Sequence, residues 1–399
     1  MGLISWMSLM GLVVLMAACT SDVVGPVSLE QGGTSEKPFY ERPSAPVEGV
    51  MSLAPGFDEP YTRGVTRAWT PPTGFELYDV GEDKSFSVFF TENPDPVKPY
   101  EEEFFYRSSG KWRVSRTDLE KTTYYIYGYA PRDYYANVTA SIEKLSGDGK
   151  TYADGAVLTL SNLPTATADD VCVIIGAKNG REYYSDVVDY TVPPLVAGDF
   201  AYEAELTGEG SGGAGNYVYL LLDHLYASLD ISMKVDATYN TLRTIKLKEL
   251  HLQTSTSLGA VKKKTDVRIT LESGANPIKS VIFTPTGDEL ADLNMAPKEG
   301  RVLSTTPQDF FVYFMPAGVN TLVLTSTYDV YDKDTSVNPE GNLVRKNCTA
   351  TNTLVLSEGF DGISIADRGK KYKVTMKIQP TYLYVMSDPD LNNPTVVIN

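Results

Sequence analysis

The residues best suited to chemistry are few. Only two histidines, His224 and His251, occur in the chain. A serine or cysteine nucleophile needs a base that a third group holds in place. His224 follows Asp223 between apolar neighbours in Leu221-Leu222-Asp223-His224-Leu225, and a histidine so placed reads as a packing residue. His251 stands near the end of a strand-like run and reads the same way. The three cysteines, Cys19, Cys172 and Cys348, lie far apart, with no CxxC pair and no Cys/His spacing of a metal site. Cys172 sits in the apolar run Val171 to Ile175 and reads as a small buried hydrophobe. Acidic residues number 51, but no spacing singles out a pair at the roughly 5–9 Å separation that glycoside hydrolysis uses. Asp332-Lys-Asp334-Thr-Ser336-Val-Asn338 begins like a calcium loop, yet Val337 stands where glycine is required and Leu343 where the twelfth-position glutamate belongs. The glycine-rich stretch from Gly208 to Gly215 lacks the Lys-Ser/Thr ending of a phosphate loop. These patterns argue for a chain that is not an enzyme and carries no metal or cofactor.

The sharpest signal is N-terminal. Leu9 to Ala18 is an apolar run that ends in Leu15-Met16-Ala17-Ala18-Cys19. It is short for a membrane span, which takes about 20 apolar residues, and fits a secretory core with a small-residue cleavage site. Met1 to Ser5 carries no Lys or Arg. The four residues that end in Cys19 resemble a lipobox, which implies diacylation of Cys19 and a firm anchor in a bilayer. Thr20 to about Pro60 is rich in Pro, Gly and Ser and reads as a tether. One apolar patch, Val50, Met51 and Leu53, interrupts it.

From Phe75 onward the chain is written in short aromatic and β-branched runs separated by turn clusters. Phe86 to Phe90, Tyr124 to Tyr129, Ala156 to Leu160 and Val171 to Ile175 are examples. Ala227 to Val235 and Tyr372 to Ile378 alternate apolar and polar residues, the pattern of strands with one buried face. The expected fold class is mainly β, with few short helices. A boundary is expected in the segment from Pro193 to Gly198. Pro380 breaks a strand, and Thr395 to Ile398 is again strand-forming. The net charge of −16 argues against nucleic acid as a partner. The 26 tyrosines suit half-buried pleated surfaces and protein contacts.

In their order these features resemble the fimbrillin family of Bacteroides-type pili. They are the lipobox, the polar leader, Arg67-Ala68-Trp69, Trp112, the aromatic strand ending in Ala130-Pro131, the run from Leu220 to Ala227, Phe311 to Pro316, and Gly369 to Val374. The resemblance implies two tandem β-sandwich domains of transthyretin-like, Greek-key type. It divides the chain into a lipoprotein signal (1–19), a leader removed on maturation (20–67), an N-terminal domain (68–195), a C-terminal domain (196–380) and a candidate donor strand (381–399). It also implies a pilus subunit, stalk or tip, that matures from an outer-membrane lipoprotein to the fimbrium and contributes to adhesion. A trypsin-like protease would cut after Arg67, with Arg63 as the rival position. Other pilus subunits, like or unlike, would be the partners. Tyr382, Tyr384, Met386, Val396 and Ile398 are the candidate donor side chains, joining subunits by strand complementation.

A second expectation is kept beside the first. A lipid-anchored β-sandwich could bind glycans, or another ligand on a host or bacterial surface, through exposed aromatics. Trp112 and Trp69 are the candidates for that platform.

Overall fold

Alternation becomes ladder throughout the described residues. The computed structural model describes residues 50–55, 75–77, 84–93, 99–108, 111–114, 122–133, 137–180, 196–203, 217–333, 336, 341–360, 362–380 and 389–398. Almost all regular structure in them is strand, with two helices of one turn, Ala237–Asn240 and Leu356–Gly359. The fold is mainly β and rich in packed sheets, as the patterning leads one to expect.

Among the described residues the strands form four sheets. The largest runs in the order Phe75–Leu77, Val50–Pro55, Tyr217–His224, Cys172–Gly180, Thr123–Asp133, Lys84–Thr91, Glu103–Ser108, Lys111–Val114, with Ala201–Glu203 also on Thr123–Asp133. A second has the order Pro389–Ile398, Lys371–Pro380, Ala227–Val235, Gln308–Phe314, Ala166–Thr167. A third is built on Arg243–Thr256, Val319–Asp332 and Leu343–Val355. A fourth has the order Ile278–Leu290, Lys262–Glu272, Gly155–Pro164, Thr139–Lys144. Among the described strands two pairs are parallel, Val50–Pro55 with Tyr217–His224 and Ala227–Val235 with Lys371–Pro380; the rest are antiparallel. Ladders join segments on either side of residue 195. Gly155–Pro164 pairs with Lys262–Glu272, and Cys172–Gly180 with Tyr217–His224.

The large sheet is buried on both faces. Phe89, Tyr127, Tyr129, Val173, Tyr219 and Leu221 enter the main core, which continues to Ile378. Phe86, Val88, Phe90, Ile126, Cys172, Ile174, Leu220 and Leu222 form a second core on the opposite face. Alternation along each strand sends successive side chains into different cores. Along Arg243–Thr256 the buried positions change phase, from Ile245 and Leu247 to Leu250 and Leu252. A register shift between Leu247 and Glu249 absorbs the extra residue.

One expectation is revised. Ala227–Val235 has two buried faces, since Ser228, Asp230 and Ser232 are as covered as Leu229 and Ile231. The strand is central, and the long side chains of its neighbours fold over its short polar ones. Gly198 marks the turn near the expected boundary. Its φ is +83°, and a Cβ there would lie 2.1 Å from the Gly274 carbonyl oxygen, so only glycine fits.

Candidate assembly site

The apolar patch at Val50, Met51 and Leu53 is a strand. Val50 to Leu53 stand level with Val218 to Leu221 in parallel register. On the other side Leu53, Ala54 and Pro55 pair antiparallel with Leu77, Glu76 and Phe75. The segment thus lies between two strands that both follow Arg63 and Arg67 in the chain. Its partner strand is well rooted. Tyr219 and Leu221 enter the main core, and Val218, Leu220 and Leu222 the second. Removal of Val50–Pro55 would leave the backbone groups of Val218–Leu221 without that ladder and open a slot one strand wide.

At the other end of the chain Pro389–Ile398 is an edge strand on Lys371–Pro380. Ile398 stands level with Val374, Val397 with Thr375 and Val396 with Met376. Two of the candidate donor residues, Val396 and Ile398, therefore lie on a strand docked on its own subunit. Tyr382, Tyr384 and Met386 lie outside the described residues, as do Cys19, Arg63, Arg67, Trp69 and the Gly208–Gly215 loop. Trp112 belongs to Lys111–Val114, the outermost strand of the large sheet.

The histidines do not assemble a nucleophile and a base. His224 Nδ1 bonds the Asp170 carboxylate directly, and Cys172 Sγ lies 3.7 Å from the same nitrogen. A relay needs acid and nucleophile on opposite ring nitrogens. All three side chains are buried. Ladder register brings them together, since Cys172 stands level with His224, and no local sequence signal marks the cluster. They are the group, among the described residues, whose ligand atoms converge as a metal site would require. His251 lies between carboxylates at the surface, with Asp292 on Nδ1 and Glu249 3.7 Å from Nε2. Cys172 and Cys348 are both thiols and are not joined.

Several other buried polar groups are tied into the fold. Burial pushes the Glu102 carboxyl above its usual range, against the opposing effects of the Ser87 hydroxyl, which donates at 2.6 Å, and the Arg132 guanidinium 3.0 Å away. Burial also raises the phenols of Tyr127 and Tyr226, whose hydroxyls donate to the carbonyls of Tyr152 and Pro164. No helix among the described residues is long and apolar enough to cross a membrane.

No model of a known protein family matches the chain, and no curated protein matches it. Solved structures do. A candidate cell adhesion protein from Bacteroides uniformis has 10% identity over 88% of this chain and 97% of its own, with a TM-score of 0.35. A fimbrial protein from Bacteroides vulgatus has 14% identity over 80% of this chain and 92% of its own, with a TM-score of 0.33. The fimbrial anchor protein Mfa2 from Porphyromonas gingivalis has 12% identity, covers 88% and 95% of the two chains, and has a TM-score of 0.21.

Proposed function

We propose that this chain is a structural subunit of a cell-surface pilus, stalk or tip, that polymerises by strand complementation and contributes to adhesion. It is exported as a lipoprotein acylated at Cys19 and cut after Arg67. The observation that carries this reading is the placement of Val50–Pro55. A segment that precedes the cleavage position fills a slot whose two walls, Tyr217–His224 and Phe75–Leu77, follow it. A cut at Arg67 removes the covalent tie between filler and walls, so the filler can leave and a strand from a neighbouring subunit can enter.

The exchange is driven by ordinary physics. An open slot exposes unpaired backbone groups and apolar side chains. A donor strand restores the ladder and buries alternate side chains at about 25 cal/mol per Å² of apolar surface. The C-terminal segment is the candidate donor, with Val396 and Ile398 among its strand-forming residues. Its own dock is a sheet edge, so its release breaks a ladder on one side only.

The test is the N-terminal sequence and intact mass of the protein from its native cell surface. A mature start at Ala68, abolished by Arg67→Gln, is the expected result. A diacylated Cys19 at the start of every form, with no cut species, would sink the polymerising reading and favour an uncut, ligand-binding lipoprotein.

A further inference from the structure

The outward face of Ala227–Val235 holds a carboxylate in an unusual position. Ser228, Asp230 and Ser232 alternate with the core residues, yet Asp230 is only 1% exposed. Its walls come from the flanking strands. Lys371 stands level with Ser228 and Lys373 with Asp230 on the parallel side. Phe311 stands level with Asp230 and Tyr313 with Ser228 on the antiparallel side. Lys371 Nζ lies over the Phe311 ring, 5.3 Å from its centroid, and that ring packs edge-on against Tyr313 at 5.1 Å.

Inside this trough neither Asp230 oxygen has a hydrogen-bond partner. Lys371 Nζ is the nearby cation, 4.0 Å from Oδ2, beyond hydrogen-bonding distance. A buried carboxylate without hydrogen bonds is costly. Burial is the largest influence on Asp230 and raises its pKa; Lys371 and Lys373 pull the other way, and Asp309 adds to the rise. Low polarity around Asp230 favours its uncharged acid form. A carboxylic acid and an amine whose nitrogen lies 4.0 Å from a carboxyl oxygen are the reactants of amide formation.

We propose that Asp230 and Lys371 become joined by an intramolecular isopeptide bond. The Lys371 amine attacks Cγ of the protonated Asp230 carboxyl, forming the Nζ–Cγ bond. The Cγ–OH bond breaks, the hydroxyl takes up a proton from the attacking nitrogen, and one water leaves. Nothing is oxidised or reduced, and no co-reactant is needed. The product replaces a buried carboxyl and a half-buried amine with one neutral amide. It ties Lys371–Pro380, the strand that carries the C-terminal segment, to the central strand of its sheet. A pull applied at the C-terminal strand would then reach the sheet interior through a covalent bond as well as through ladder hydrogen bonds. The inference does not rest on the pilus reading.

The test is the denatured intact mass of the purified chain, followed by proteolysis and fragment sequencing. The expected result is a deficit of one water, with a branched peptide joining the segments that contain Asp230 and Lys371. The deficit should vanish in Lys371→Arg and persist in Lys373→Arg. Full sequence mass in the folded wild-type protein overturns the proposal and leaves the two side chains unjoined. A one-water deficit confined to a linear peptide, as a cyclic imide would give, overturns it too. Because the wild-type protein decides the matter, a variant that fails to fold cannot obscure the answer.

Discussion

Leu53 stands level with Leu221 in a parallel ladder and with Leu77 in an antiparallel one. The relationship joins residues that precede and follow Arg67, so cutting there turns an internal strand into a bound peptide. A bound peptide can be weakened without touching the rest of the fold. Ser52, level with Leu220, is the place to do it, because proline in the middle of a strand removes a ladder donor. Ser52→Pro should lower the melting temperature of the uncut precursor by a few degrees, the shift expected for about 1 kcal/mol in a domain of this size. The cut form, having lost the strand, should melt as the wild type does. Equal losses in both forms would mean that Val50–Pro55 stays in place after cleavage.

The C-terminal strand gives the complementary experiment. Pro389–Ile398 is the edge of its sheet, so its loss leaves Lys371–Pro380 paired on its other side with Ala227–Val235. A chain ending at Pro380 should therefore still unfold cooperatively. After cleavage at Arg67 it should sediment as a monomer while the full-length chain elongates. If the truncated chain forms polymers of normal length, the donor lies elsewhere in the molecule.

How far the sequence is legible depends on what each feature needs from distant residues. The alternation from Tyr372 to Ile378 is local, and it reappears as alternate burial. The strand character of Val50, Met51 and Leu53 is visible as an apolar patch, but its neighbours are not. Parallel partners have no hairpin to mark them, and this pair is separated by much of the chain. Ser228, Asp230 and Ser232 look solvent-facing because the polar half of an alternation usually is. Lys371, Phe311 and Tyr313 cover them, and those residues arrive only with the register of two other strands. The His224 cluster escapes notice for the same reason. Asp170 is 54 residues from His224 and Cys172 is 52, distances at which no spacing rule applies.

Asp236 offers a pH-dependent prediction. It caps the turn Ala237–Asn240, accepting from the backbone N–H of Thr238 at 2.9 Å and of Tyr239 at 3.3 Å, and pairs with Lys377 at 2.9 Å. The Lys377 bond is the largest influence holding its carboxyl below the ordinary value of 3.8, and the two backbone bonds act in the same direction. A carboxyl lowered by folding contributes stability above its unfolded pKa, and loses that contribution as the pH falls through its folded one. Asp236→Ala should cost about 1 kcal/mol at neutral pH, the usual value of a lost cap. Denaturant titrations of wild type and variant should converge as the pH drops below 3.8. A gap that does not change with pH would assign the loss to packing around Tyr239.

The contact between His224 and Asp170 decides whether the buried cluster is a structural pair. Both side chains are almost fully covered, a Cβ added at Gly369 would lie 3.8 Å from the ring's Cδ2, and the Arg368 guanidinium donates to the His224 carbonyl. Removing one partner of such a pair leaves the other buried without compensation. His224→Leu and Asp170→Leu should each cost about 3 kcal/mol or more. Replacing both removes the polar demand along with the bond, so the double variant should be more stable than the two single losses added together predict. Chemical denaturation of the four proteins supplies the cycle. A coupling near zero would show that the two side chains act independently and that the ladder around Cys172 holds this corner without them. A large favourable coupling would make the pair a clasp between the Cys172–Gly180 and Tyr217–His224 strands, beside the slot that Val50–Pro55 fills. In that case loosening it should also speed release of the cut leader strand, which the rate of leader-peptide dissociation after cleavage would measure.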